Sequence, residues 1–266
     1  MVKISELQRG DLITDLDDDD HFMTWVGAEE LVENVEANKY HGVFRHSASK
    51  IRDRLEMATK GKKVKGFEVF RCENTAIAQQ AADFAIEWST SKNDQLFTQG
   101  MAAYEEPEKA ANNQPNMFPL KIPYSQDRLT HERQQKAREW DVRSMFRALR
   151  VLARADSKAP VSLKGWTCSC FATYCFQAAA LKVLFKDQAI DSNLLQTIQR
   201  ENSKDFLSIK SDLNLIDMAL GKWTDSIRKL LPKGILVDGK AVNATVLRES
   251  LNEDNNGFKK LGNITE

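Results

Sequence analysis

A chain of 266 residues with 42% hydrophobic content is long enough for one large domain, or for a core domain with an appendage, built around a real core. Lys+Arg and Asp+Glu both number 38, a formal net charge of +0, so no global field points to nucleic acid or an anionic membrane. No stretch approaches the ~20 apolar residues of a membrane span, and the first ten residues lack a signal-peptide core, so a protein that is cytoplasmic as synthesised is expected.

The chain opens on a short helix or turn at Ile4 to Leu7, which Arg9-Gly10-Asp11 breaks before the apolar pair Leu12-Ile13, a turn into a strand. Asp15 and the run Asp17 to Asp20 read as a solvated acidic loop, where a hard cation could also find oxygens. His21 to Val26 and Glu29 to Glu36 read as strands, with Gly27-Ala28-Glu29 as the hairpin between them. Residues 38–46 read as a link, 49–58 as a short helix and 61–65 as a basic turn. Residues 66–72 alternate apolar and polar side chains, the pattern of a half-buried strand with Phe67, Val69 and Arg71 on one side. The first seventy residues therefore predict a small, mostly antiparallel sheet.

The character changes at Asn74. Thr75 to Trp88 predicts a helix with apolar positions at 77, 78, 81, 84, 85 and 88. From 89 to 123, Asn, Gln, Glu and prolines at 107, 115 and 119 mark a long irregular segment, a lid or insertion. Residues 128–155 return as an amphipathic helix whose arginine-rich outer face reads as solvated. A small-residue loop then ends at Gly165-Trp166, and apolar residues at 171, 174, 175, 178, 181 and 184 predict one face of a buried helix. Beyond it lie short helices near 193–200, 212–219 and 222–231, a turn with a hairpin over 232–242, and a last helix near 244–252.

The four cysteines lie at 72, 168, 170 and 175, three of them within eight positions. Neighbours on one short helix do not easily make a disulfide framework, so a reduced compartment is expected. The cluster also lacks the paired knuckles or nearby His of a zinc set, so neither a metal nor a cofactor is expected. Cys170 and Cys175 read as core. Cys168 stands apart because it falls where the loop enters the helix, and free N–H groups at a helix start favour thiolate over thiol. A nucleophilic Cys168 needs a base. Of the histidines at 21, 41, 46 and 131, His21 heads a strand, where a rigid sheet can present it to a helix packed across that face; His41 and His46 flank a loop, and His131 starts a charged helix. Glu33, in the next strand of the hairpin, is placed to orient the imidazole beside it, whereas Glu30 and Glu36 read as exposed. Asp17 to Asp20, beside His21, are expected to favour its imidazolium form.

Gly10 to Ile13, His21 to Gly27, Leu31 to Val35 and Cys168 to Leu181 together resemble the circularly permuted NlpC-type papain-like hydrolases, a group that includes the lecithin–retinol acyltransferase-like proteins. That group carries a His, then a polar residue one hairpin later, then Cys-Ser on the first turn of a helix. Cys168, Ser169, Ala178 and Ala179 fit this pattern, Phe176 stands where a Tyr is favoured, and Glu33 where the acyltransferase-like branch has a second His. The resemblance covers residues 9–90 and 165–185. It implies an α+β fold, a small antiparallel sheet packed on the Cys168 helix, in a catalytic domain over 1–186; the residues it does not cover read as an insertion over 90–160 and a helical C-terminal extension over 187–266. It also implies a Cys168–His21–Glu33 triad acting on an amide or ester in peptidoglycan, protein or lipid. A soluble enzyme with its own insertion and tail suits a bacterial effector or toxin exported without a leader, with a protein partner at the insertion or extension. Two rivals remain: an interaction protein on a papain-like scaffold, and a metal-dependent hydrolase using His21 with the carboxylates of Asp15 to Asp20.

Overall fold

A computed structural model describes residues 1–17, 20–37, 40–61, 63–89, 140, 144, 147–149, 151–152, 167–187, 228–229, 231–239 and 242–265, with the backbone alone for 35–37, 40–42 and 184–187. The fold is α+β. Seven strands form one mixed sheet: β1 (Val2–Lys3), β2 (Leu12–Asp15), β3 (His21–Gly27), β4 (Glu30–Ala37), β5 (Tyr40–Ser47), β6 (Phe67–Cys72) and β7 (Phe258–Thr265), in the order β1-β7-β6-β2-β3-β4-β5. Only β1 and β7 pair in parallel; the other neighbours are antiparallel. Among the described residues, the helices with both ends described are α1 (Ser49–Thr59), α2 (Thr75–Trp88), α3 (Cys168–Asp187) and α4 (Ala244–Asn252). No helix among the described residues is long and apolar enough to cross a membrane.

The sheet is buried on both faces, and side-chain alternation sorts them. Ile13, Met23, Trp25, Leu31, Phe67 and Val69 face one core with Ile51 of α1. Leu12, Phe22, Val32, Val43, Phe70 and Cys72 face the larger core, built with α2, α3 and α4. This two-sided burial corrects the half-buried reading of residues 66–72: β6 is an interior strand, and Arg71 forms a two-pronged ion pair with the buried Asp11 at 2.8 and 2.7 Å. The hairpin between β3 and β4 is a two-residue turn with positive φ at Ala28 (52°) and Glu29 (56°). That twist matches the twist of the flanking strands.

Gly10 is required by its surroundings. Its φ is +89°, and a Cβ there would sit 2.2 Å from the Ala78 carbonyl oxygen in α2. Gly10 also donates its N–H to Trp25 O at 2.8 Å, tying the turn before β2 to β3. Gly10→Ala is expected to cost on the order of 3 kcal/mol, through strain plus a backbone clash. Equilibrium urea unfolding checks it, and a wild-type midpoint would show that the turn relaxes freely.

Helix α2 matches its predicted range and is capped by Asn74, whose side chain accepts the Ile77 N–H at 3.2 Å. Phe84 stacks on Trp88 at 4.9 Å, and Trp88 meets Phe171 of α3 edge-on at 6.4 Å. Helix α3 differs from the one-faced helix predicted: every residue from Cys168 to Leu181 is buried. Sheet, α2 and the C-terminal segment all pack around it, so it is a core helix rather than a surface one.

Further expectations are corrected. Residues 38–46 are not a link, because β5 pairs with β4 from Glu30↔Ser47 to Ala37↔Tyr40. The described part of the expected 187–266 extension is not all helical. β7 inserts between β1 and β6, and Phe258 packs on Phe176 at 5.4 Å. The buried Gln177 donates to Ile235 O and Val237 O, both at 2.8 Å, stitching the segment to α3. The expected 232–242 hairpin is instead a 3-10 turn at Lys233–Ile235, while α4 lies where the last helix was expected. Nor is the arginine-rich face wholly solvated, since Arg147 pairs with Asp238 at 2.7 Å. The insertion and the helices near 193–200 and 212–219 fall outside the described residues, apart from helical residues 144, 147–149 and 151–152.

Candidate active site

Cys168 is the first residue of α3. Thr167 caps the helix: its Oγ1 accepts the Cys170 N–H at 3.2 Å, and its carbonyl accepts the Phe171 N–H at 3.0 Å. Ser169 turns inward and donates to Val242 O at 2.9 Å, fixing the helix start against the C-terminal segment. The thiol therefore lies at a fixed position among free N–H groups.

His21 is the first residue of β3, opposite Asp15 of β2. Glu33 lies opposite Met23, two residues along, so His21 and Glu33 share a face as diagonal neighbours rather than side by side as expected. The glutamate is long enough to close that diagonal, and His21 Nε2 lies 2.6 Å from Glu33 Oε2.

The sheet presents His21 differently from the expectation. Alternation puts His21 with Met23 on the α1 face, whereas α3 packs on the opposite face with Phe22 and Val32. The two sides meet because the β3–β4 ladder stops at Met23↔Glu33. Beyond that pair the Phe22 N–H donates to the Cys168 sulfur, as does the Ser169 N–H, and the His21 ring bonds the same sulfur. With Nε2 given to Glu33, the ring nitrogen left for the thiol is Nδ1. Cys168, His21 and Glu33 thus stand in series.

Electrostatics separates Cys168 from the other cysteines. Burial opposes its charge, but the His21 imidazolium, its hydrogen bond and the two N–H groups outweigh that, and the thiol is held below its ordinary range. Burial likewise works against charge on His21, yet the Cys168 thiolate and the Glu33 carboxylate push its pKa up to about 10. Burial also opposes ionisation of Glu33, but Lys50, His46 and His21 hold it well below the carboxylate range. By contrast, burial pushes Cys72 and Cys170 each up to about 11 and raises Cys175 well above its ordinary value. Cys168 is 8% exposed and the His21 side chain 11%.

Of the acidic run expected to favour the His21 imidazolium, Asp18 and Asp19 lie outside the described residues, and the described carboxylates are engaged by other groups. Asp15 is fully buried and bonds Arg54 at 2.6 Å, with Lys50 at 3.5 Å. Asp17 accepts the Lys65 and Gly66 N–H groups at 2.9 and 3.1 Å, and Asp20 pairs with Arg248 at 3.1 Å. Among the described residues these carboxylates answer to cations and backbone donors, and no cluster of three His, Cys, Asp or Glu is arranged to hold a metal ion. Glu30 is not exposed either: it is buried and bonds Arg45 Nε at 2.8 Å.

Sequence reasoning missed His46. It is fully buried on β5, with Nε2 2.8 Å from Glu33 Oε1 and Nδ1 2.9 Å from Ser47 O. The adjacent apolar pair Val43-Phe44 was the available signal for this strand, and Gly42 and the flanking histidines obscured it. No protein-family model, curated protein or solved structure matches the chain, so the geometry of the site carries the functional reading.

Proposed function

We propose that the protein is a cysteine hydrolase or acyltransferase of permuted papain-like architecture, with Cys168 as nucleophile, His21 as acid and base, and Glu33 as the group that orients the imidazole. The observation that carries the reading is the series Cys168–His21–Glu33, in which Cys168 is lowered and the other three cysteines are raised. In this mechanism the thiolate attacks the carbonyl carbon of an amide or ester. N–H groups at the start of α3 receive the oxyanion, and His21 Nδ1–H protonates the departing amine or alcohol. The thioester left on Cys168 is released when His21, now neutral, takes a proton from water or from an acceptor nucleophile. Candidate substrates are peptidoglycan cross-peptides, protein amides and lipid esters. A bacterial effector or toxin role, with export independent of a leader, belongs to the same reading.

A panel of those three substrate classes tests it, with mass spectrometry of the Cys168 peptide after acid quench to trap the acyl-enzyme. An acyl adduct confined to Cys168 supports the mechanism; turnover that persists in Cys168→Ala would exclude it. Glu33→Gln keeps volume but replaces a two-acceptor carboxylate with an amide. It is expected to lower turnover on the order of 10²-fold, the lower end of what a positioned proton-transfer system contributes. Steady-state kinetics on the best substrate checks this, with the loss expected in kcat. The slight exposure of Cys168 favours a second reading, an interaction protein on the same scaffold, which requires an unreactive Cys168.

A further inference from the structure

Behind Glu33 stands a second histidine whose environment is unusual. The His46 ring is 0% exposed and lies between two oxygens, Glu33 Oε1 at 2.8 Å from Nε2 and Ser47 O at 2.9 Å from Nδ1. A backbone carbonyl only accepts hydrogen bonds. Glu33 also faces His21 Nε2 at 2.6 Å and Lys50 Nζ at 3.8 Å. Facing the Lys50 ammonium and the His21 ring, and held well below the ordinary carboxylate range, Glu33 is ionised and so only accepts. An imidazole set between two acceptors satisfies both only by donating from both nitrogens, and such a ring carries a positive charge. A buried cation is tolerated where it is paired and fully bonded, and both conditions are met.

The charges around this pair come from every strand and helix that meets it. His21 comes from β3 and Lys50 from α1, and behind Lys50 lies Asp15 of β2 with its partner Arg54. Cys168 from α3 faces His21. The two Glu33 oxygens are divided, Oε2 to His21 and Oε1 to His46. Two bonds on two oxygens fix the plane of a carboxylate, whereas one bond leaves it free to turn about its last torsion.

We propose that His46 is a positioning residue for the Cys168 chemistry: a doubly protonated imidazolium, buried between Ser47 O and Glu33, that keeps Glu33 ionised and turned toward His21. The proposal rests on the thiol-hydrolase reading and extends the series to Cys168–His21–Glu33–His46. His46 touches no reacting atom and acts only through the carboxylate.

Two measurements test it. In wild-type protein labelled with [15N]histidine, NMR at neutral pH is expected to show a proton on both His46 ring nitrogens; a proton on one alone overturns the proposal. Independently, the pH midpoint of Cys168 alkylation by iodoacetamide is read in wild type, His46→Ala, Glu33→Gln and the double variant. His46→Ala is expected to raise the midpoint in the same direction as Glu33→Gln, and the double variant to match Glu33→Gln alone, because both act through one carboxylate. A His46 that merely packs the sheet lowers Tm without moving the midpoint, or adds its effect independently to that of Glu33→Gln; either result overturns the proposal. His46→Gln keeps a donor toward Oε1 and is expected to recover part of the shift, and it replaces His46→Ala if that variant does not fold. Wild-type labelling that is unselective, or indifferent to His21, overturns the hydrolase reading and this proposal together. Selective, His21-dependent labelling with unmoved His46 variants overturns this proposal alone.

Discussion

Cys168→Ala is expected to reduce turnover on the order of 10⁴-fold or more, the scale on which loss of a covalent nucleophile is felt. The matching result in wild type is selective alkylation of Cys168 by iodoacetamide at a pH well under the usual thiol range. The reason is the contrast among four buried cysteines. Each pays for burial, which disfavours thiolate, but at Cys168 the His21 imidazolium and the backbone N–H groups of Phe22 and Ser169 outweigh that cost. Cys72 and Cys170, pushed up to about 11, remain thiols at neutral pH, and so does Cys175, raised well above its ordinary value by burial. Since the thiolate is the reactive form, the selectivity follows from charge state and not from exposure, which is slight at all four sites. Peptide mass spectrometry across a pH series reads all four at once. Equal labelling of the four would remove the nucleophile, and the interaction-protein reading would then lead.

Removing the cation is expected to matter nearly as much. His21→Ala is expected to lower turnover on the order of 10³-fold, within the range for a positioned acid–base group. It is also expected to shift the Cys168 labelling midpoint upward, past the ordinary thiol value. Burial would then act on the thiol against the Phe22 and Ser169 N–H groups alone. The sign of the wild-type pH profile follows from the same shifts. Cys168 is lowered, so thiolate is present above its depressed value and is lost as pH falls through it. His21 is raised to about 10, so the imidazolium that protonates the leaving group is present below that value and is lost as pH rises through it. Turnover should therefore rise on an acid limb set by the ion pair, stay level through neutral pH, and fall near 10 on the alkaline side. The two limbs belong to the coupled pair and not to either residue alone. A profile that climbs steadily through the ordinary thiol range, the same in wild type and His21→Ala, would mean that the two groups do not share a proton.

Much of the local structure was legible in the residues. Apolar positions at 77, 78, 81, 84, 85 and 88 marked α2, the alternation at 66–72 marked β6, and the two runs around Gly27 marked β3 and β4 with the turn between them. The entry of a small-residue loop into an apolar helix placed Cys168 at a helix start. These signals are local because side-chain periodicity follows from backbone geometry within a few residues. β7 shows what such signals miss. Of Phe258-Lys-Lys-Leu-Gly-Asn-Ile-Thr265 only Phe258 and Ile264 are buried, so no alternation announces a strand. It is a strand because the backbones of β1 and β6 lie on either side of it and satisfy its donors and acceptors, pairing residues 258–265 with residues 2–3 and 68–72, far away in the chain. β5 was obscured likewise, and with it His46.

The sequence by itself determined which residue types were available and at what local angle: a cysteine at a helix start, a histidine at the head of a strand, and a glutamate on the same face one hairpin later. Periodicity and turn chemistry are short-range, and they sufficed for those placements. Tertiary structure alone decided that α3 packs on the face opposite His21, that the β3–β4 ladder ends where the Phe22 N–H can reach the sulfur, and that His46 closes on the free oxygen of Glu33. Each of these depends on where one element stops relative to another distant in the chain. That relation is set by packing and by the satisfaction of buried charge, which no single stretch of sequence contains.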